Sequence, residues 1–123
     1  MYCVRISYPR KSGSTFNFSH YYDVHSPLGL EMVMKYGGIQ PVKILVDELD
    51  VDNTQDSAAG YHCICSIYFE EKAGAEAMLG MFAHEEPQRR LSEDFPNYTE
   101  TEPEVTLIKV TELDPATGKE LKN

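Results

Sequence analysis

General acid–base chemistry can be built on one short stretch of this sequence. Asn17, Tyr21 and His25 fall at i, i+4 and i+8, near one line along a helix. An imidazole titrates near neutral pH and can take or return a proton. A tyrosine one turn before it can hydrogen-bond the ring or a substrate oxygen. Pro27, just beyond, has no backbone N–H and should interrupt or kink the helix, opening a pocket mouth. His25 and Tyr21 are therefore the candidate catalytic residues, with Phe18, Tyr22 and Leu28 as candidate pocket wall. The same spacing suits a core histidine held by one backbone hydrogen bond, and aromatic stripes commonly serve as packing.

The remaining histidines and cysteines give weaker signals. His20 is five residues from His25, so an ideal α-helix would turn the two apart by roughly 140°. Cys63 and Cys65 share one face of a strand and His62 takes the other, so only one set can face a cavity. Cys63 and Cys65 are taken as pocket residues. A thiol beside His25 would permit nucleophilic or proton-transfer chemistry, the alternative being buried reduced cysteines. Three cysteines, an odd number, argue against a disulfide framework. Asp94, Asn97 and Thr99 read as turn and capping residues. The sequence shows no metal-ligand spacing, Gly-rich phosphate loop, Gly-x-Ser-x-Gly or dinucleotide fingerprint, so neither metal nor cofactor is expected.

The elements that must hold these residues follow from periodicity. Tyr2 to Tyr8 alternates as a strand and ends at Pro9. A helix starts near Asn17 or Ser19, with Phe18, Tyr21, Tyr22 and His25 as one stripe, and stops at Gly37-Gly38. Pro41 to Leu49 and Tyr61 to Phe69 read as strands around a loop over residues 50–60. Ala75, Met78, Leu79 and Phe82 form a second helical stripe, which Pro87 should close, with one further helical turn over Arg89 to Asp94. Val105 to Val110 is the last strand. The order β-α-β-β-α-β predicts an α+β, ferredoxin-like fold: a four-stranded antiparallel sheet with two helices on one face. Both faces of the third strand carry apolar residues, so the bare sheet face is expected to pair with a second copy. Residues 1–112 form the expected domain, and 113–123 a polar, loose C-terminal tail.

Composition narrows the function classes. The chain has 123 residues, the size of one domain, and 41% hydrophobic residues. Its formal net charge is −9, with no basic stripe, which disfavours nucleic acid and anionic membranes as partners. The start has no long apolar run, and no stretch approaches a bilayer span. We read the chain as cytoplasmic.

Two segments carry a family resemblance. Tyr8-Pro9 followed by Phe16-Asn17-Phe18-Ser19-His20-Tyr21-Tyr22-Asp23-Val24-His25-Ser26-Pro27-Leu28 resembles the EthD pattern of a Tyr-Pro strand end, a Phe-Asp start, a Tyr-Tyr pair and His-x-Pro-Leu. Asp94-Phe95-Pro96-Asn97-Tyr98-Thr99 is similar to the stretch before that family's last strand. Counted back from His25, His20 stands where one of the paired tyrosines is usual, and Asn17 where Asp is common. The resemblance implies a dimeric α/β barrel of two ferredoxin-like units, with His25 in the cavity region. It also implies action on a small hydrophobic oxygenated compound, by cofactor-free acid–base catalysis of isomerase, cyclase or monooxygenase type. The alternative is a non-catalytic ligand-binding or accessory protein of an oxidation pathway.

Overall fold

The computed structural model describes residues 1–49 and 60–121. Four strands, β1 (Tyr2–Pro9), β2 (Lys43–Glu48), β3 (Tyr61–Phe69) and β4 (Glu104–Lys109), pair antiparallel in the order β2-β3-β1-β4. With a helical run between β1 and β2 and another between β3 and β4, this is the ferredoxin-like arrangement. The loop expected over residues 50–60 lies, except for Gly60, outside the described residues.

Strand alternation decides what the sheet offers to the helices. Val4, Ile6 and Tyr8 of β1 stand opposite Ile67, Cys65 and Cys63 of β3, and these residues pack into or against the main core. Burying such a side chain contributes about 1.5–3 kcal/mol over leaving it exposed. The opposite parity is partly closed too: Cys3, Ser7, His62 and Ser66 are buried, and Arg5 Nε donates to Ser66 Oγ at 3.3 Å.

The first helical run is continuous over residues 18–37 but not uniform. It comprises α1 (Phe18–His20), a π-helical turn (Tyr21–His25), α2 (Ser26–Met32) and a second π-helical turn (Val33–Gly37). Asn17 caps it, its side-chain oxygen accepting from the His20 N–H at 3.1 Å. Pro27 neither breaks nor ends the run, against the sequence expectation. It falls in the first turn of α2, directly after the π turn in which the Ser26 N–H reaches back to the Tyr21 carbonyl. That wider turn accommodates a ring that would crowd the carbonyl four residues back in a regular α-helix. Gly38, at φ 75°, supplies the left-handed stop.

The second helical region also differs from expectation. α3 (Lys72–Gly80) runs into a 3-10 turn (Met81–Ala83), and extended His84 (φ −98°, ψ 145°) makes the break. Pro87 does not close this helix. It lies inside a third one, α4 (Glu85–Asp94), near the N-terminal end, where the first N–H groups have no intrahelical acceptor. The single helical turn read over Arg89 to Asp94 is thus the C-terminal part of a ten-residue helix. A 3-10 turn, Phe95–Asn97, leads back towards the sheet.

The C-terminal residues, expected as a loose tail, fold back on themselves as far as they are described. Leu113 pairs with Glu120, and the Asp114 N–H donates to the Lys119 carbonyl at 2.7 Å around Gly118. Among the described residues no helix is long and apolar enough to cross a membrane.

Candidate functional site

The site begins where the chain returns from α4. The Asn17 N–H donates to the Tyr98 carbonyl at 2.8 Å and Phe16 bridges to Thr99, which ties segment 95–99 to the start of the helix. Tyr8 from β1 completes an aromatic cluster with Phe16, Tyr21, His25, Phe95 and Tyr98. The His25 ring lies 4.5 Å from Tyr98, 5.7 Å from Phe95 and 5.7 Å from Tyr21, nearly parallel to the last at 20°. Tyr21 therefore stacks on the imidazole rather than hydrogen-bonding it. The Tyr8 and Tyr98 hydroxyls meet at 2.8 Å.

Asp94, the last residue of α4, organises the polar side. Its Oδ2 lies 3.0 Å from His25 Nδ1, and its Oδ1 lies 2.8 Å from His20 Nε2. Asn97 Nδ2 donates to Oδ1 at 2.9 Å. The π turn explains how both histidines arrive. Its hydrogen bonds link residues five apart, and this wider turn brings positions 20 and 25 round to one side where an α-helix would separate them. The expected divergence of His20 and His25 is thereby corrected.

An ionised carboxylate only accepts hydrogen bonds, so each histidine donates to it. His25 then carries its proton on Nδ1, leaving Nε2 as the lone-pair nitrogen. Burial lowers the His25 pKa below the ordinary histidine value, and the Asp94 carboxylate opposes that shift without cancelling it. His25 is therefore a neutral base at neutral pH. Burial works to raise the Asp94 pKa, but the hydrogen bonds from Asn97, His20 and His25 prevail and hold it below the usual carboxylate range. Burial, with smaller contributions from neighbouring groups, raises the pKa of Tyr8, Tyr21 and Tyr98, so their hydroxyls stay protonated. Burial also pushes the Cys63 thiol up to about 12 and raises Cys65, which makes thiolate chemistry at neutral pH unfavourable.

A cavity of about 90 Å³ lies between helices and sheet, with Tyr8, Tyr21, His25 and Cys65 in its wall. Among the described residues, the rest of the wall is almost wholly apolar and carries no Lys, Arg, Asp or Glu. Phe82, Leu91, Phe95 and Pro103 also line an adjoining open groove of about 590 Å³ along α4. Among the described residues no group of three or more His, Cys, Asp or Glu side chains is placed to hold a metal ion.

The structure brings His25, Tyr21 and Cys65 together at the cavity. Cys63 is buried in the core on the same strand face but is not in the cavity wall. Phe18 packs on Phe16 and Tyr22 outside it. Tyr22 is 41% exposed and donates to Glu48 at 2.5 Å, and Leu28 lines a surface groove with Arg90 and Asp94. His62 sits on the other sheet face, bonded to Ser14 Oγ at 2.7 Å. Sequence reading missed Asp94 and Tyr8 as site residues. Both stand within the two motif segments, which was the signal available.

The EthD domain family model matches residues 14–102. Among solved structures, an EthD-like protein from Ralstonia eutropha JMP134 superposes with a TM-score of 0.69 at 16% identity, covering 94% of this chain and 96% of that one. An EthD family protein from Bacillus halodurans C-125 superposes with a TM-score of 0.52 at 13% identity, covering 89% of this chain and 99% of that one. At these identities the likeness is one of fold. No curated protein sequence matches the chain.

Proposed function

This chain belongs to the EthD domain family, and from that premise we propose that it binds a small uncharged carbonyl compound beside His25 and abstracts a proton from the carbon next to the carbonyl. One observation carries this reading: the cavity-lining His25 has its Nδ1 3.0 Å from the buried Asp94 carboxylate, which orients the ring. In the step, the C–H proton passes to Nε2, the C–H bonding pair becomes a C=C bond, and the C=O π pair moves onto the oxygen, giving an enolate. The imidazolium formed is paired with Asp94, and the proton returns to another carbon or is exchanged with solvent. If Tyr98 donates within the hydroxyl pair, Tyr8 is left with a proton to give the enolate oxygen. No cofactor is needed. Among the described residues of the wall, an anionic substrate would meet no cation to repay its desolvation.

A second reading is non-catalytic ligand binding in an accessory role. The observation that favours it is the apolar wall, in which Tyr8, one of the few polar groups, already has its hydroxyl bonded to that of Tyr98. The open sheet face, with Leu45 47% exposed on the same side as Ile64 and Tyr68, is the surface we assign to a second copy. Sedimentation of Leu45→Arg against the unaltered protein tests that assignment.

Solvent-deuterium exchange separates the two readings. Incorporation of deuterium at the α-carbon of cyclopentanone and γ-butyrolactone is expected with the protein and not with His25→Ala. Binding of these compounds with no exchange above buffer would leave the accessory reading standing. Neither binding nor exchange with any small ketone or lactone would remove the catalytic one.

A further inference from the structure

His20 stands outside the cavity wall, yet it holds the carboxylate that holds His25. Its Nε2 is 2.8 Å from Asp94 Oδ1, its ring stacks on Tyr98 at 15°, and its side chain is 23% exposed. We infer that His20 is a positioning residue that fixes Asp94 and, through its own proton, controls whether the cavity histidine is charged. The inference rests on the reading of His25 as the base.

The physical argument is one of a shared counter-charge. One carboxylate faces two imidazoles, so a proton on either ring draws on the same negative charge, and the second proton meets the first. The groups around His25 are Tyr21 from its own turn, Tyr98 and Asp94 from the returning segment, Tyr8 and Cys65 from the sheet, and His20. Tyr8, Tyr21, Tyr98 and Cys65 stay uncharged at neutral pH, so among the described residues Asp94 and His20 are the charges that bear on His25. A positive His20 acts to lower the affinity of His25 for a proton. A charge on His20 therefore keeps His25 neutral over a longer range as the medium acidifies. Asn97 also reaches Oδ1, so the carboxylate keeps one side-chain donor there when His20 is removed.

NMR titration of both rings in the full chain tests this without any ligand. In the unaltered protein, the His20 and His25 curves should each show two steps, each registering the midpoint of the other. In His20→Gln, which removes the charge, the His25 midpoint should move up and its second step disappear. In His20→Lys, which keeps a cation, it should stay low. Two independent single-step curves in the unaltered protein, or an unmoved His25 midpoint in His20→Gln, would overturn the inference. Because the readout is protonation and not exchange at carbon, failure here leaves the proposed reaction standing, and failure of that reaction leaves this result standing.

Discussion

His20 and His25 stand five residues apart in the chain and converge on the two oxygens of one carboxylate, at 2.8 and 3.0 Å. The convergence needs the π turn between them and a partner from a different helix, Asp94 at the end of α4. Asp94→Asn keeps the shape and removes the charge. We expect the deuterium exchange rate to fall by about 10²–10⁴, the contribution of a positioned base. The His25 midpoint should also move further down, since Asp94 now holds it up. Loss of the charged hydrogen bonds should cost about 1.5–3 kcal/mol in urea unfolding. An exchange rate within twofold of the parent would show that His25 does not need its carboxylate.

The same site sets a pH dependence. His25 titrates lower in the folded protein than in the unfolded chain, where a histidine titrates near about 6.5. Between those two values the unfolded chain binds more protons, so stability contributed here rises with pH and is lost as pH falls below about 6.5. Asp94 acts in the same direction at lower pH, its contribution disappearing as pH falls through its depressed folded value. Exchange activity should be flat at neutral pH and fall on the acid side through the folded His25 midpoint. A rate that rises on acidification would assign the working form to the imidazolium instead.

The Tyr8–Tyr98 hydroxyl pair separates stability from chemistry. Tyr8→Phe leaves the Tyr98 hydroxyl buried without its partner and should cost about 1–3 kcal/mol. Tyr98→Phe should cost a similar amount but leave Tyr8 at the cavity wall, and the double variant should recover part of the loss. Exchange should fall with Tyr8→Phe and persist with Tyr98→Phe. Equal loss in both single variants would mean that the pair acts only in packing.

How far these features were legible in the sequence depends on how local their causes are. β3 occupies Tyr61–Phe69, the range read from it, because its β-branched and aromatic residues contain no Gly or Pro. The Gly37-Gly38 stop was equally readable, since the left-handed turn at Gly38 is a one-residue event. Pro27 and Pro87 were misread because a proline is compatible with the early turns of a helix, and what precedes it decides. Asp94 was read as a turn residue because its histidine partners lie 69 and 74 residues away, and only the fold brings them to it.

The thiols give a direct test of burial. Cys63 is pushed up to about 12 and Cys65 is raised, and Cys3, Cys63 and Cys65 are all buried. Native protein at pH 8 should resist iodoacetamide, while urea-unfolded protein should take three labels. Rapid labelling of Cys65 in the native state would mean that the cavity opens to solvent far more than this structure shows.

Two glycines should respond to alanine with opposite signs. A Cβ on Gly74, in the first turn of α3, would lie 2.7 Å from Phe69 Cδ1 and 3.1 Å from its Cβ and Cγ. Phe69 is fully buried at the end of β3 and cannot move aside freely, so the overlap should cost about 1–3 kcal/mol. The gain in helix propensity, about 1 kcal/mol, offsets only part of this. A Cβ on Gly29, in α2, meets nothing within 4 Å, so there the propensity gain should stand alone and raise the unfolding midpoint. Gly29 also lines the cavity, and its new methyl takes room from a space of about 90 Å³. Gly29→Ala should therefore be more stable and yet slower in deuterium exchange. Unchanged exchange in that variant would place the ligand elsewhere than against α2, while a stabilised Gly74→Ala would show that α3 can lift from Phe69.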